Sequence, residues 1–271
     1  MFKWLRNRRR RKILQAPFPQ EWRDILQEMV KHYSFLDDTE KNRLEELVQF
    51  FIAEKNFEGC GGLKLTDEIK VVVAAQACLL VLGLPDYQYL ELESVLIYPT
   101  TVKVPPSRLS AFADSPMIVP DQQAILGMAS SRGPVILVWD AVKRGARHPE
   151  QGHNVVYHEF AHILDMRDGT ADGTPELFNR QLYQAWVDIC SKEFFKLKKD
   201  AEKGRESLLD SYGAVHEAEF FAVATELFFD RPLRMKREHP DLYGVLSAVS
   251  YTHLTLPTNI IRCRSRWSPY H

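Results

Sequence analysis

At 271 residues, 45% hydrophobic and 26% charged, the chain has an ordinary globular composition and is long enough to bury a core without disulfide staples. A formal net charge of -1 excludes the strongly basic balance of a nucleic-acid binder and offers no global attraction to a membrane surface. Cys60, Cys78, Cys190 and Cys263 are scattered and form no Cys-x-x-Cys pair, which argues against a disulfide framework and for a reducing, cytoplasmic setting.

The chain opens on a basic run, Lys3, Arg6, Arg8, Arg9, Arg10, Arg11 and Lys12. The apolar stretch of a secretion signal does not follow, because residues 13–22 carry Gln15, Pro17, Pro19, Gln20 and Glu21. Residues 1–20 therefore read as a solvated, disordered tail. Residues 21–33 have a helical pattern. Asp37 followed by Glu40 signals the start of a second helix, over 39–55, with Leu44, Leu47, Phe50 and Phe51 at helical spacing. Gly61 and Gly62 mark a turn. Residues 71–84 are nearly all apolar, too short to span a bilayer, and predict a buried helix ending at Gly83 and Pro85. Short β-rich stretches at 95–98 and 101–104 are split by Pro99, and residues 105–127 read as a proline-rich loop. A strand is expected over 134–139, a polar loop over 140–152, and helices over 155–166, 176–199 and 217–229. With no repeat and no linker, the pattern is one α+β body, mostly helical around a small mixed sheet.

Within the helix at 155–166 stands His158-Glu159-Phe160-Ala161-His162. Positions i and i+4 of a helix lie one turn apart on one face, so both imidazoles can reach one ion. Glu159, one step round, can address water beside that ion. Zinc lowers the pKa of its water to about 7, so a carboxylate can accept the proton at neutral pH. The pattern predicts a zinc peptidase with His158 and His162 as ligands and Glu159 as general base.

A catalytic zinc site commonly has a third protein ligand, and three candidates compete. Asp165 follows one turn after His162, where crowding disfavours ligation and suits a hydrogen bond to a histidine ring. Asp168 occupies the third-ligand position of the metzincin pattern, but Asp165 stands where that pattern has its turning glycine. A second helix could present Glu217, Glu219 or Glu226 in the manner of a His₂Glu site. The residue pattern does not choose among these.

The motif helix, His-Glu-Phe-Ala-His-Ile-Leu-Asp, followed by Tyr212-Gly213 and Glu217-Ala218-Glu219-Phe220-Phe221-Ala222, resembles the MtfA (Mlc titration factor A) family of zinc peptidases, related to the anthrax lethal factor catalytic domain. The resemblance runs from about residue 22 to 248 and includes Val95-Leu96-Ile97-Tyr98-Pro99 and Phe228-Phe229. It implies a zincin-like fold with Glu219 as third ligand and Tyr212 as the phenol that supports the oxyanion. It also implies a peptide or protein substrate, with endopeptidase or aminopeptidase action left open. In such folds an edge strand beside the motif helix pairs with the substrate backbone, and residues 134–139 are the expected edge, or else a core strand. The family is named for sequestering a glucose-responsive repressor, so an Mlc-like partner is implied too, and repressor binding could itself be the main role. Nucleic-acid binding and membrane insertion are not expected. From Val249 onward the sequence leaves the family pattern, and residues 249–271 read as a foreign tail after a peptidase domain over 21–248.

Overall fold

The computed structural model describes residues 2–83, 89–90, 92–100, 127–128, 133–177 and 179–252. The expected strand at 101–104, nearly all of the proline-rich loop and residues 253–271 lie outside them.

The basic run is helical rather than disordered: α1 spans Phe2–Ile13. Arginine and lysine are good helix formers, and Arg10, Arg11 and Lys12 sit in the last turn, where the helix dipole favours cations. The helix is tied to the body by Arg9 on Glu54 at 2.7 Å and by Gln49, whose Nε2 donates to the Ala16 carbonyl at 3.0 Å. Helix α2 (Gln20–Met29) leads through a 3₁₀ turn (Lys31–Phe35) into α3 (Asp38–Glu54). The cap signal is realised as a full capping box. Asp37 accepts from the Glu40 backbone N–H, and Glu40 accepts in return from that of Asp37.

Helix α4 (Asp67–Leu80) is capped by Thr66, and everything from Val71 to Leu80 is buried. A helix apolar on all sides belongs in the centre of a fold, and α2 and α3 pack against it. Strands β1 (Asn56–Gly59), β2 (Ser94–Tyr98), β3 (Gly127–Met128) and β4 (Val135–Val138) form one mixed sheet in the order β1-β2-β4-β3. The β1–β2 and β2–β4 pairs are parallel, and β3 runs antiparallel to β4. Val95 faces Val135 and Ile97 faces Leu137 in register; all four are buried. Because β3 covers its far side, β4 is an interior strand, and the expectation that residues 134–139 form an edge is corrected.

The stretch expected as a polar loop is largely helix α5 (Trp139–Arg147), followed by a 3₁₀ turn (Pro149–Gln151). Trp139, Val142 and Ala146 recur at helical spacing and are buried, while Asp140, Arg144 and Arg147 face water. That periodicity is real, but a few apolar residues among many charges hide it from a reading by composition.

Helix α6 (Val155–Asp165) packs on α8 (Glu217–Asp230), with the long α7 (Arg180–Glu202) alongside the 3₁₀ turn Ser211–Ala214 that precedes α8. Helices α9 (Pro232–Glu238) and α10 (Pro240–Thr252) close this layer. Helix α10 continues through Val249, where the sequence pattern changes. The result is an α+β, zincin-like architecture in which α4, α6 and α8 bring the site together. Among the described residues no helix is long and apolar enough to cross a membrane, and Cys60, Cys78 and Cys190 are free thiols.

Candidate metal centre

Asn154 sets the first turn of α6. Its side-chain oxygen accepts from the backbone N–H groups of Val156 (3.1 Å) and Tyr157 (3.2 Å), the arrangement that satisfies helix N-terminal donors. Val156, Tyr157, Phe160, Ala161 and Leu164 are buried. Phe160 packs edge-on to Tyr89 at 4.9 Å between ring centres, and Tyr157 lies 5.2 Å from Phe229 of α8. With those faces fixed in the core, His158 and His162 share the remaining side, their ring centres 4.9 Å apart. Each keeps 15% of its side chain exposed.

Helix α8 supplies the opposing group. Its N-cap is His216, whose Nδ1 accepts from the Ala218 N–H at 3.1 Å. Glu219, in the first turn, aims Oε2 at Nε2 of His158 (3.0 Å) and at Nε2 of His162 (3.5 Å). Three ligand atoms from these residues lie within 4.8 Å of one another. Tetrahedral ligands at about 2.0–2.1 Å from a zinc ion must stand about 3.3 Å apart, so two imidazoles and a carboxylate at these separations form a donor set of the right chemistry and size. Burial alone would raise the Glu219 carboxyl, but the bonds from His158 and His162 outweigh it and pull its pKa well below the carboxylate range.

Glu159 is 5% exposed. Burial lifts its pKa to about 7, the two histidines working against that shift and Glu219 and Glu226 adding to it. Tyr212 stands in the 3₁₀ turn held by Asp210, which accepts from the Tyr212 N–H at 2.8 Å. Its ring centre is 6.0 Å from that of His158. Burial, then the charges of Glu219 and Glu159, push the phenol up to about 12, so it stays a donor across the neutral range.

The other carboxylates are accounted for elsewhere. Asp165 was expected to bond a histidine ring, and that expectation is corrected. Its two oxygens accept the N–H groups of Gly173 (3.0 Å) and Thr174 (2.8 Å), because the chain folds back after α6 and offers backbone donors. Asp168 is exposed and bonds the N–H and hydroxyl of Thr170, outside the group of converging ligand atoms. Glu217 is exposed at the start of α8. Glu226 instead reaches the site from behind. Its Oε1 is 2.8 Å from Nδ1 of His158 and its Oε2 accepts the Asn154 N–H at 2.6 Å. Sequence reasoning had Glu226 only as a competing ligand. Its spacing of seven residues from Glu219, two turns along one helix face, was the available signal.

Comparison with known proteins adds a family. A family model described as glucose-regulated metallo-peptidase M90 matches residues 4–251. The "uncharacterized protein slr2042" of Synechocystis sp. is 36% identical over 239 residues, covering 88% of this chain and 86% of that protein. The "Mlc titration factor A" of Klebsiella pneumoniae (strain 342) is 30% identical over 213 residues, 77% of each chain. That of Edwardsiella ictaluri is 31% identical over 215 residues, 77% of this chain and 79% of the relative.

Proposed function

Because the chain belongs to the glucose-regulated metallo-peptidase M90 family, we propose that it is a cytoplasmic zinc peptidase with His158, His162 and Glu219 as ligands, Glu159 as general base and Tyr212 as oxyanion donor. The observation that carries the reading is the convergence of the two imidazole Nε2 atoms of α6 on one carboxylate of α8. When bound, zinc would supply a Lewis acid that polarises the scissile carbonyl and acidifies water. Glu159, buried on the same helix, takes the proton of the attacking water and passes it to the leaving amine. The Tyr212 hydroxyl, raised beside His158 by its 3₁₀ turn, donates to the oxygen on which negative charge develops. The substrate backbone adds to the sheet at β3, the outermost strand on the side of α6 among the described residues.

Elemental analysis of the purified protein, paired with hydrolysis of a peptide library, tests this. About one zinc per chain and metal-dependent cleavage are expected. A protein that neither carries nor takes up metal removes the reading. The library also separates aminopeptidase from endopeptidase action.

The name of the Klebsiella pneumoniae and Edwardsiella ictaluri relatives, Mlc titration factor A, favours an additional role, binding of an Mlc-like repressor. Glu159→Gln distinguishes the two, since repressor binding should survive loss of the base.

A further inference from the structure

We propose that Glu226 is the positioning residue of the metal centre, fixing the ring of His158 so that Nδ1 is the donor and Nε2 faces the ion. The proposal rests on the reading of His158 as a ligand. Glu226 is 7% exposed and both its oxygens are engaged, Oε1 with His158 Nδ1 at 2.8 Å and Oε2 with the Asn154 N–H at 2.6 Å. A ring whose Nδ1 donates to a carboxylate presents its Nε2 lone pair outward, and the carboxylate raises the basicity of that nitrogen. The same carboxylate also anchors the residue that caps α6, so the ring and the helix carrying it are held by one group.

The restraint reaches further into the core. Asn154 donates from Nδ2 to Gln76 Oε1 at 2.9 Å, and Gln76 donates to the Val72 carbonyl at 3.2 Å and the Val142 carbonyl at 3.4 Å. Gln76 and Asn154 are fully buried. A chain of polar contacts therefore runs from α4 and α5 through the cap of α6 and the glutamate of α8 to a metal-facing imidazole. Every link up to Glu226 is buried, and only the last, to His158, is part-buried; in such an interior an unsatisfied polar group is costly and a satisfied network specifies one arrangement. Only a carboxylate can serve the Glu226 position fully, because both of its partners donate. A glutamine offers one accepting oxygen and turns its amide towards the other donor.

The test is zinc affinity, by competition with a chromophoric chelator, for the full-length protein and for Glu226→Gln, Glu226→Ala and Gln76→Leu. Glu226→Ala should bind zinc about 10–100-fold more weakly, the usual effect of removing a ligand's outer partner. Glu226→Gln, nearly isosteric and able to keep one contact, should fall between it and wild type. Gln76→Leu disturbs the far end of the chain of contacts but leaves the ring's partner in place. It should lower thermal stability and weaken zinc binding less than Glu226→Ala does. Proton NMR of the zinc-loaded protein supplies a second readout. The Nδ1–H signal of His158 should be protected from solvent exchange in wild type and lost in Glu226→Ala. Wild type that fails to bind zinc overturns the zinc reading, and this proposal with it. Wild type that binds zinc, beside Glu226 variants of equal affinity, overturns the positioning role alone. Gln76→Leu as weak as Glu226→Ala would show that general packing, not the ring contact, governs affinity, and would also overturn it.

Discussion

Glu219 Oε2 and His158 Nε2 meet at 3.0 Å although 61 residues separate them in the chain. The contact exists because α6 and α8 pack face to face, with Glu219 in the first turn of α8 and His158 at the end of the first turn of α6. Glu219→Ala should therefore weaken zinc binding by more than the roughly 10–100-fold expected for an outer partner, because the proposed third ligand is removed. Asp168→Ala should leave it unchanged, since that side chain is exposed and occupied by Thr170. Chelator competition on the two variants decides it. The reverse order of effects would transfer the ligand role to Asp168.

Glu159→Gln removes the proposed base and none of the proposed ligands. Zinc content should stay that of wild type while turnover falls at least about 10²–10⁴-fold, the usual contribution of a positioned proton acceptor. Near-normal hydrolysis by the variant would assign the proton transfer to another group.

Tyr212→Phe keeps the ring beside His158 and deletes the donor. If the phenol supports developing charge, kcat should drop about 10²–10³-fold, as for loss of one oxyanion donor, with zinc affinity unchanged. A change confined to KM would make Tyr212 a substrate-packing residue instead.

The parts of this site differ in how far sequence exposes them. The pairing of His158 with His162 follows from helical period alone, and the capping box at Asp37 and Glu40 from local chemistry alone. Glu219 needed a family resemblance, because nothing in the spacing of one helix says which other helix faces it. Asp165 illustrates the same limit. Its position one turn past His162 is correct, but its partners Gly173 and Thr174 arrive by a chain reversal that period cannot show. Helix α5 is hard to see in the sequence because two of its five buried positions are alanine and one is glycine, set among Asp140, Lys143, Arg144 and Arg147. Helices α9 and α10 begin at Pro232 and Pro240, the first-turn position where proline's missing N–H costs nothing. Strand β1 has four residues, half-buried at best, and no alternation to detect.

Away from the site, Glu45 is a separate stability element. Arg23 grips it through two contacts, Nε to Oε1 at 2.9 Å and Nη2 to Oε2 at 2.7 Å, and Tyr33 donates to Oε1 at 2.7 Å. Burial alone would raise the Glu45 carboxyl, but the bonds from Arg23 and Tyr33 prevail and hold it below its ordinary pKa. A depressed carboxylate stabilises the fold at pH values above its unfolded pKa of about 4.3, and that contribution disappears as pH falls through the folded value. Glu45→Gln should cost about 1–3 kcal/mol near neutral pH. The gap between wild type and variant in denaturant midpoint should narrow as the medium is acidified below about pH 4. A gap constant over that range would show that the charge of Glu45 is not what stabilises the cluster.

The start of α8 is itself held in place by a glycine. Gly173 sits at φ +77°, donates its N–H to Asp165, and accepts from the Trp186 indole through its carbonyl at 3.2 Å. A Cβ there would run into the backbone of Glu217, two residues before Glu219. Gly173→Ala therefore adds a steric clash to the left-handed backbone strain of about 1 kcal/mol, and it pushes on the helix turn that aims a proposed ligand. Gly169 is the matched control, at φ +96° with open space where a Cβ would lie. Gly169→Ala should show the strain alone, with zinc affinity retained. Gly173→Ala should lower the melting temperature further and weaken zinc binding. Equal effects of the two substitutions on both measurements would mean that the Gly173–Glu217 contact does not set the position of Glu219, and that the packing of α8 on α6 suffices to do so.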